Sequence, residues 1–253
     1  MLNVERDGAV LRLTLNRPEV KNALNTELIA ALSHELAIED TAVRVVVIRG
    51  SDGSFCAGGD LNMMRDQGSK SYEENEADAL LLATLFERIA SYPALVISVV
   101  EGPCFGGGCG IVAASDLVLS MPDAKFCFSE VKLGLVPATI SPYVFPKIGP
   151  GQARALFMTA DVFGGVRAEQ IGLVHEIMQP SFLGNSIEDL IDKRIAAQLK
   201  VGPEAVRICK KLTQAAPLSK GDSAKLLAEV RSSDEAKEGL TAFLEKRKPG
   251  YAV

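Results

Sequence analysis

The sequence predicts an α/β protein: strand–helix repeats over roughly the first 190 residues, then a helical tail. Three observations carry that expectation. Residues 43–49 (VRVVVIR) are β-branched at nearly every position, which suits a strand covered on both faces, as in parallel sheets. Two apolar strands are each followed by a glycine-rich bend, at Ala57-Gly58-Gly59-Asp60 and at Gly106-Gly107-Gly108. From residue 187 the apolar positions recur at helical spacing with no strand pattern among them.

The elements follow in order. Residues 3–5 and 10–16 read as short strands joined at Asp7-Gly8, a hairpin signal. Arg17-Pro18 breaks the second. Residues 21–25 form a turn, and Thr26 is expected to cap a helix running to about residue 38, with Leu28, Ile29, Leu32 and Leu36 on one face. The strand at 43–49 ends in Gly50-Ser51-Asp52-Gly53, and the first glycine bend occupies 55–61. Residues 62–70 read as irregular. Residues 73–91 form a long amphipathic helix stopped before Pro93. A strand over 96–100 leads through Gly102-Pro103 to the second bend and a buried helix at 109–114. Strands are expected at 117–119 and 125–128, with Glu130 delivered just after the latter and a turn at Gly134. Ser141-Pro142 starts a helix through 147, and a second helix covers 151–160. Residues 172–177 read as a short strand. Helices over 187–200, 203–215 and 223–246 complete the chain, which is thereby divided into a core of 1–190 and a helical segment of 191–253.

Composition narrows the function classes. With 253 residues, 47% of them hydrophobic, the chain can bury a large core. A net charge of −5 argues against nucleic acid or a membrane surface as the main partner. Five cysteines without regular spacing suit buried thiols in a reducing cytoplasm rather than a disulfide frame. The two histidines, His34 and His175, have no cysteines beside them at metal-ligand spacing, so no metal site is expected. Glu5, Arg6 and Asp7 interrupt the start too early for a signal peptide, and no apolar run reaches membrane-spanning length. The expected setting is the cytoplasm.

The two bends and Glu130 carry the chemistry. Glycine lets a backbone approach a ligand closely and turn N–H groups towards it. A helix starting at the second bend adds the partial positive charge of its N-terminus. If the two strands are neighbours, both bends serve one small volume, and two converging N–H donors can hold an oxygen gaining negative charge. One such donor is worth about 3–4 kcal/mol of transition-state stabilisation. Without a serine or cysteine nucleophile, the chemistry that needs this is enolate formation from a thioester, with a nearby carboxylate moving the proton.

These residues resemble the crotonase, or enoyl-CoA hydratase/isomerase, superfamily. The matching stretches are Leu15-Asn16-Arg17-Pro18 with Asn22-Ala23-Leu24, the bend from Phe55 to Leu61, Phe105 with Gly106-Gly107-Gly108, Ser115-Asp116, Phe128-Ser129-Glu130 through Pro137, and Phe243 through Arg247. They span nearly the whole length in the family's order. The resemblance implies a crotonase-like spiral of ββα units with a C-terminal helical segment. It implies an acyl-CoA thioester as partner, no cofactor beyond the coenzyme A of the substrate, and a homotrimer or homohexamer. It assigns the oxyanion donors to the N–H groups of Gly59 and Gly107 and the proton transfer to Glu130. Lys21, Ala23, Ala57, Asp60 and Leu61 would line the thioester and coenzyme A. Phe243 and Lys246 would meet its adenosine end.

One departure matters. Family hydratases usually carry a second glutamate just after the glycine triplet, where this chain has Gly110, and the segment 137–143 is also altered. Three chemistries stay open. A Δ3,Δ2-enoyl-CoA isomerase needs only one carboxylate. A hydratase could rely on Glu130 for most of the proton work, and the altered segment is similar to the methylglutaconyl-CoA and isohexenylglutaconyl-CoA hydratase branch, whose substrates bear a second carboxylate. A third option is another thioester enzyme of the same fold. The second is favoured, because the match runs through the altered segment.

Plainer readings stand beside these. The glycines could serve turns and packing alone, Glu130 could be a surface carboxylate, and Asp60 reads more naturally as a structural or capping group. Lys21, Phe243 and Lys246 depend on the resemblance. A rival chemistry is a dinucleotide site, since Gly108-x-Gly110-x-x-Ala113 fits a relaxed fingerprint and would make the protein an NAD-dependent oxidoreductase. Five intervening residues, 101–105, and the unexplained first bend count against it. A non-catalytic RNA-binding member of the same fold is the other alternative, and the acidic balance disfavours it.

Overall fold

A computed structural model of the chain describes residues 1–38, 40–178 and 186–253. Strands β1 (Leu2–Asp7) and β2 (Val10–Leu15) form an antiparallel hairpin. Helix α1 (Thr26–Glu35) follows, then strand β3 (Val45–Gly50), parallel to β2. Helices α2 (Leu61–Gln67) and α3 (Tyr72–Ser91) lead to β4 (Leu95–Val100), parallel to β3. The short β5 (Pro103–Phe105) precedes helix α4 (Gly107–Ala114), β6 (Leu117–Ser120) and β7 (Lys125–Cys127). Helix α5 (Ser141–Thr159), β8 (Phe163–Gly164), α6 (Gly165–Gln170) and β9 (Glu176–Ile177) come next. The chain closes with α7 (Ile187–Gln198), α8 (Pro203–Gln214), α9 (Lys220–Ser232) and α10 (Asp234–Leu244).

Two sheets result. The larger has the order β1-β2-β3-β4-β6-β9 and is parallel beyond the first hairpin; the smaller has the order β5-β7-β8. The β-branched run of β3 explains why the larger sheet is covered on both sides. Val46 and Ile48 face one apolar cluster, with Leu28, Leu32, Leu85 and Ile89 from α1 and α3. Val45 and Val47 face a second cluster, closed by Ile187, Ile191 and Ile195 from α7. The helical tail therefore begins by sealing the back of the sheet, and the 190/191 division falls inside α7.

Several expectations change. Residues 62–67 are helical rather than irregular, since α2 starts at Leu61 under the cap of Asp60, and only 68–70 lie outside it. The cap of α1 is Asn25, one residue before Thr26, with its side chain accepting from Leu28 N. The two helices expected at 141–147 and 151–160 are present, as the two arms of α5 on either side of a kink at Gly149, whose φ of 73° departs from the helix ahead of Pro150. The strand at 172–177 shrinks to Glu176–Ile177, because Leu173 and Val174 both donate to Ala168 O and finish the turn after α6. The last helix is two, because Ser233 is extended (φ −70°, ψ 156°) and its hydroxyl caps α10. Cys56, Cys104, Cys109 and Cys127 are buried free thiols, whereas Cys209 is exposed on α8.

Candidate functional site

The first bend is held from two sides. Cys56 N donates to Pro103 O and Phe105 N to Cys56 O, each at 2.9 Å, so the chain after β3 runs beside β5. On its other side Leu24 N donates to Gly58 O (2.8 Å) and Asp60 N to Leu24 O (2.9 Å). That parallel bridge spends the groups on either side of Gly59 and turns the Gly59 N–H away from Leu24. Gly58 needs its freedom, with φ at 103°. Asp60 is 5% exposed. Its carboxylate caps α2 through Asn62 N and Met63 N and meets Arg17 Nη2 at 2.8 Å. Arg17, then the cap, hold this carboxyl below its ordinary range.

The second bend grows from β5, which also pairs with β7. Gly106 N donates to Cys127 O (2.9 Å), and Gly106 adopts φ 47°, ψ −116°, a conformation for glycine. Helix α4 starts at once. From Gly108 to Ala114 it is buried, so its polar ends need partners within the protein. At the C-terminal end, Lys147 Nζ donates to Val112 O and Ser115 O. At the N-terminal end, a Cβ on Gly107 would stand 2.9 Å from Leu24 Cδ1. Leu24 thus ties the bends together, its backbone to the first and its side chain to the second. Neither the Gly59 nor the Gly107 N–H finds an acceptor among the described residues.

Glu130 arrives from the other side. Beyond β7 it opens a 3-10 turn, Glu130–Leu133, closed by Gly134 N and Leu135 N on Glu130 O. A Cβ built on Gly106 would lie 3.4 Å from Ser129 Oγ, 3.8 Å from Glu130 Oε1 and 3.9 Å from Gly58 Cα. Both bends and the glutamate therefore share one small space. Glu130 Oε2 is buried with no hydrogen-bond partner, and burial raises the carboxyl above its ordinary value. A carboxyl of that kind, beside unspent N–H donors, is equipped to carry a proton next to an oxygen that turns anionic.

The other expected residues are spread more widely. Lys21 is exposed in a left-handed conformation (φ 52°), and its carbonyl accepts from Ala57 N. Ala23 is buried, its carbonyl taken by Arg17 Nη1; Ala57 is half-buried. Leu61 is 77% exposed at the start of α2. Phe243 is 80% exposed on α10, with Lys246 exposed just beyond it. Among the described residues, no hydrogen bond or ion pair joins Phe243 or Lys246 to the bends.

Gly108 and Gly110 lie within α4, and a Cβ on either would collide, at 2.8 Å from Cys56 Cβ and at 2.5 Å from Phe86 Cζ respectively. They are packing glycines, and a dinucleotide pyrophosphate has no room against them. Sequence reasoning missed Leu24 and Arg17 as the ties of the first bend, although both stand in motifs it singled out. It also missed Phe86, a helix-face residue with no local signal. A cleft of about 1110 Å³ lies at the opposite end of α4 against α8. Within it Lys210 pairs with Asp116 at 2.7 Å and Lys147 donates to the carbonyls that end α4. Among the described residues, no group of three or more His, Cys, Asp or Glu is placed to hold a metal ion, and no helix is long and apolar enough to cross a membrane.

The chain is similar to known proteins along nearly its whole length. Residues 5–252 match the model of a family described as enoyl-CoA hydratase/isomerase. A crotonyl-CoA hydratase of Syntrophomonas wolfei is 33% identical over 98% of this chain and 96% of its own. A 2,3-dehydroadipyl-CoA hydratase of Escherichia coli is 30% identical over 99% of this chain and 98% of its own. The solved structure of Pseudomonas aeruginosa AtuE superposes with a TM-score of 0.93 at 34% identity, covering 100% of this chain and 99% of that one.

Proposed function

The chain belongs to the enoyl-CoA hydratase/isomerase family, and from that premise we propose that it adds water across the double bond of an α,β-unsaturated acyl-CoA, with 3-methylglutaconyl-CoA as the substrate favoured. The observation that carries the reading is the Glu130 carboxylate, buried with an unpartnered oxygen at the meeting point of two bends whose N–H groups are unspent. In this reading the N–H groups of Gly59 and Gly107 grip the thioester oxygen. Glu130 takes a proton from water as the hydroxyl bonds to Cβ, and the double-bond electrons move onto the thioester as an enolate. The same carboxyl then returns the proton to Cα, which completes the addition. The enolate is where the backbone donors count, at about 3–4 kcal/mol each.

The flanking assignments belong to the same proposal. Lys21, Ala23, Ala57 and Leu61 border the first bend and are assigned to the thioester and coenzyme A, with Asp60 setting the bend's shape. The segment 191–253 is assigned to subunit contact and to coenzyme A through Phe243 and Lys246. Leu240, Phe243 and Leu244 support subunit contact, since they line one face of α10 at 59%, 80% and 78% exposure. A homotrimer or homohexamer is the expected state, and the free thiols fit a cytoplasmic setting.

A product screen with crotonyl-CoA, 3-hexenoyl-CoA and 3-methylglutaconyl-CoA tests the reading, comparing wild type with Glu130→Gln. Hydration lost by about 10²-fold or more in the variant supports it; full activity removes Glu130 from the mechanism. A second reading, Δ3,Δ2-enoyl-CoA isomerisation, is favoured by the apolar packing against Gly110 and would appear as 2-hexenoyl-CoA from the 3-hexenoyl substrate.

A further inference from the structure

The two places where the chain departs from its family's pattern, Gly110 and the segment 137–143, meet in space. A Cβ on Gly110 would lie 2.5 Å from Ile140 Cγ2 and 2.5 Å from Phe86 Cζ. Gly110 stands one helical turn after Gly106, linked to it by the hydrogen bond from Gly110 N to Gly106 O. Phe86 and Ile140 are 0% and 1% exposed, so α4 is dry at that level. We propose that Phe86 and Ile140 decide the reaction type: they fill the flank of α4 beside the site, exclude a second proton-transfer group from it, and leave Glu130 both to take the proton and to return it.

The surroundings of Glu130 agree with one working acid. Its upward shift comes from burial. Cys109 on α4 and Cys127 on β7 are buried thiols, and burial raises that of Cys127. Lys132, on the same turn as Glu130, directs its ammonium to Cys127 Sγ at 3.8 Å. On α5, which packs against that turn, the ionisable groups are Tyr143, Lys147 and Arg154; burial raises Tyr143, and Lys147 is bound to α4 carbonyls.

The inference rests on the thioester reading, so its test has two arms. The first needs no substrate. Gly110→Ala should lower the melting temperature by roughly 3–10 °C, because the added methyl meets packed neighbours. Ile140→Ala or Phe86→Ala in the same chain should restore much of that loss beyond the sum of the single effects. A Gly110→Ala protein as stable as wild type overturns the packing half. The second arm is the pH dependence of kcat/KM for thioester hydration by the wild type. One group that must be ionised gives a single limb that rises through the Glu130 ionisation and then levels. A bell with a second, basic limb, retained when Tyr143 is Phe and Lys132 is Met, overturns the one-acid half. Absence of any thioester turnover, with the Gly110→Ala clash present, counts against the proposed reaction and upholds the packing.

Discussion

Gly106 and Glu130 face each other so closely that a methyl on the glycine would stand 3.8 Å from the carboxylate oxygen Oε1. The backbone of Gly106 (φ 47°, ψ −116°) is also one that a side chain strains. Gly106→Ala therefore strains the bend itself. The strain is about 1–3 kcal/mol, and the methyl comes into contact with Ser129 Oγ at 3.4 Å. The expected outcome is a lowered melting temperature and a fall in kcat larger than the rise in KM, because the change moves the Gly107 N–H and the carboxylate relative to each other. Steady-state kinetics with crotonyl-CoA and a thermal melt check it. Unchanged kcat would mean that this contact is not part of the working geometry.

Arg17 and Asp60 hold the first bend. Arg17 binds both the Asp60 carboxylate and Ala23 O, so one guanidinium spans the two strands of chain that flank Gly59. Arg17→Met leaves a nearly buried carboxylate without its partner, at a cost of about 3 kcal/mol. Asp60→Asn should cost less, since the amide oxygen still caps α2. The pH dependence has a definite sign. Asp60 is held below its ordinary value, so its contribution is present above the ordinary carboxylate range and is lost as pH falls through the lowered value. Denaturant titrations of wild type and Asp60→Asn at neutral and acid pH should converge on acidification.

Lys210 and Asp116 anchor α8 to the core across the cleft at 2.7 Å, with side chains 8% and 25% exposed. Burial raises the aspartate and lowers the lysine even though they are paired, so for both groups desolvation outweighs attraction. Lys210→Met alone leaves the Asp116 carboxylate with the Val96 N–H but no ion-pair partner and should cost about 3 kcal/mol, whereas Lys210→Met with Asp116→Asn should recover most of it. A double-mutant cycle by urea unfolding measures the coupling. Additive losses would show that the pair is not what fixes α8.

The strand–helix core was legible because its signals are periodic. The β3 run announced a doubly covered strand, and β3 is indeed parallel to β2 and β4 and buried on both faces. The bends were legible because glycine clusters after strands have few other uses. The rest depended on contacts between distant residues. Nothing local marks Leu24 as the tie between two bends far downstream, or Phe86 as the neighbour of Gly110. Helix α2 was missed even though Asp60 reads as a capping group, because a helix of seven residues is too short to show a helical period. The break at Ser233 was missed because apolar residues stay in phase across it while the serine ends one helix and caps the next.

Lys147 closes the far end of α4, donating to Val112 O and Ser115 O, while Gly107 opens the near end beside Glu130. Burial lowers its ammonium from 10.5 to about 8, with Asp116 opposing the shift. Between those two values the unfolded chain binds the proton more than the folded one does, so this group's share of stability rises with pH across that window. Lys147→Met removes the titration, takes the side-chain donor from Ser115 O and leaves Val112 O with the Ser115 N–H alone, costing about 1–3 kcal/mol. The wild type should therefore gain stability relative to Lys147→Met as pH rises from about 8 towards 10.5, read as the difference between their urea midpoints. Because α4 carries the proposed Gly107 donor, loosening its C-terminal end should also lower kcat while leaving thioester binding largely intact. A pH-independent stability difference would contradict the titration, and an unchanged kcat would show that the two ends of α4 are held independently.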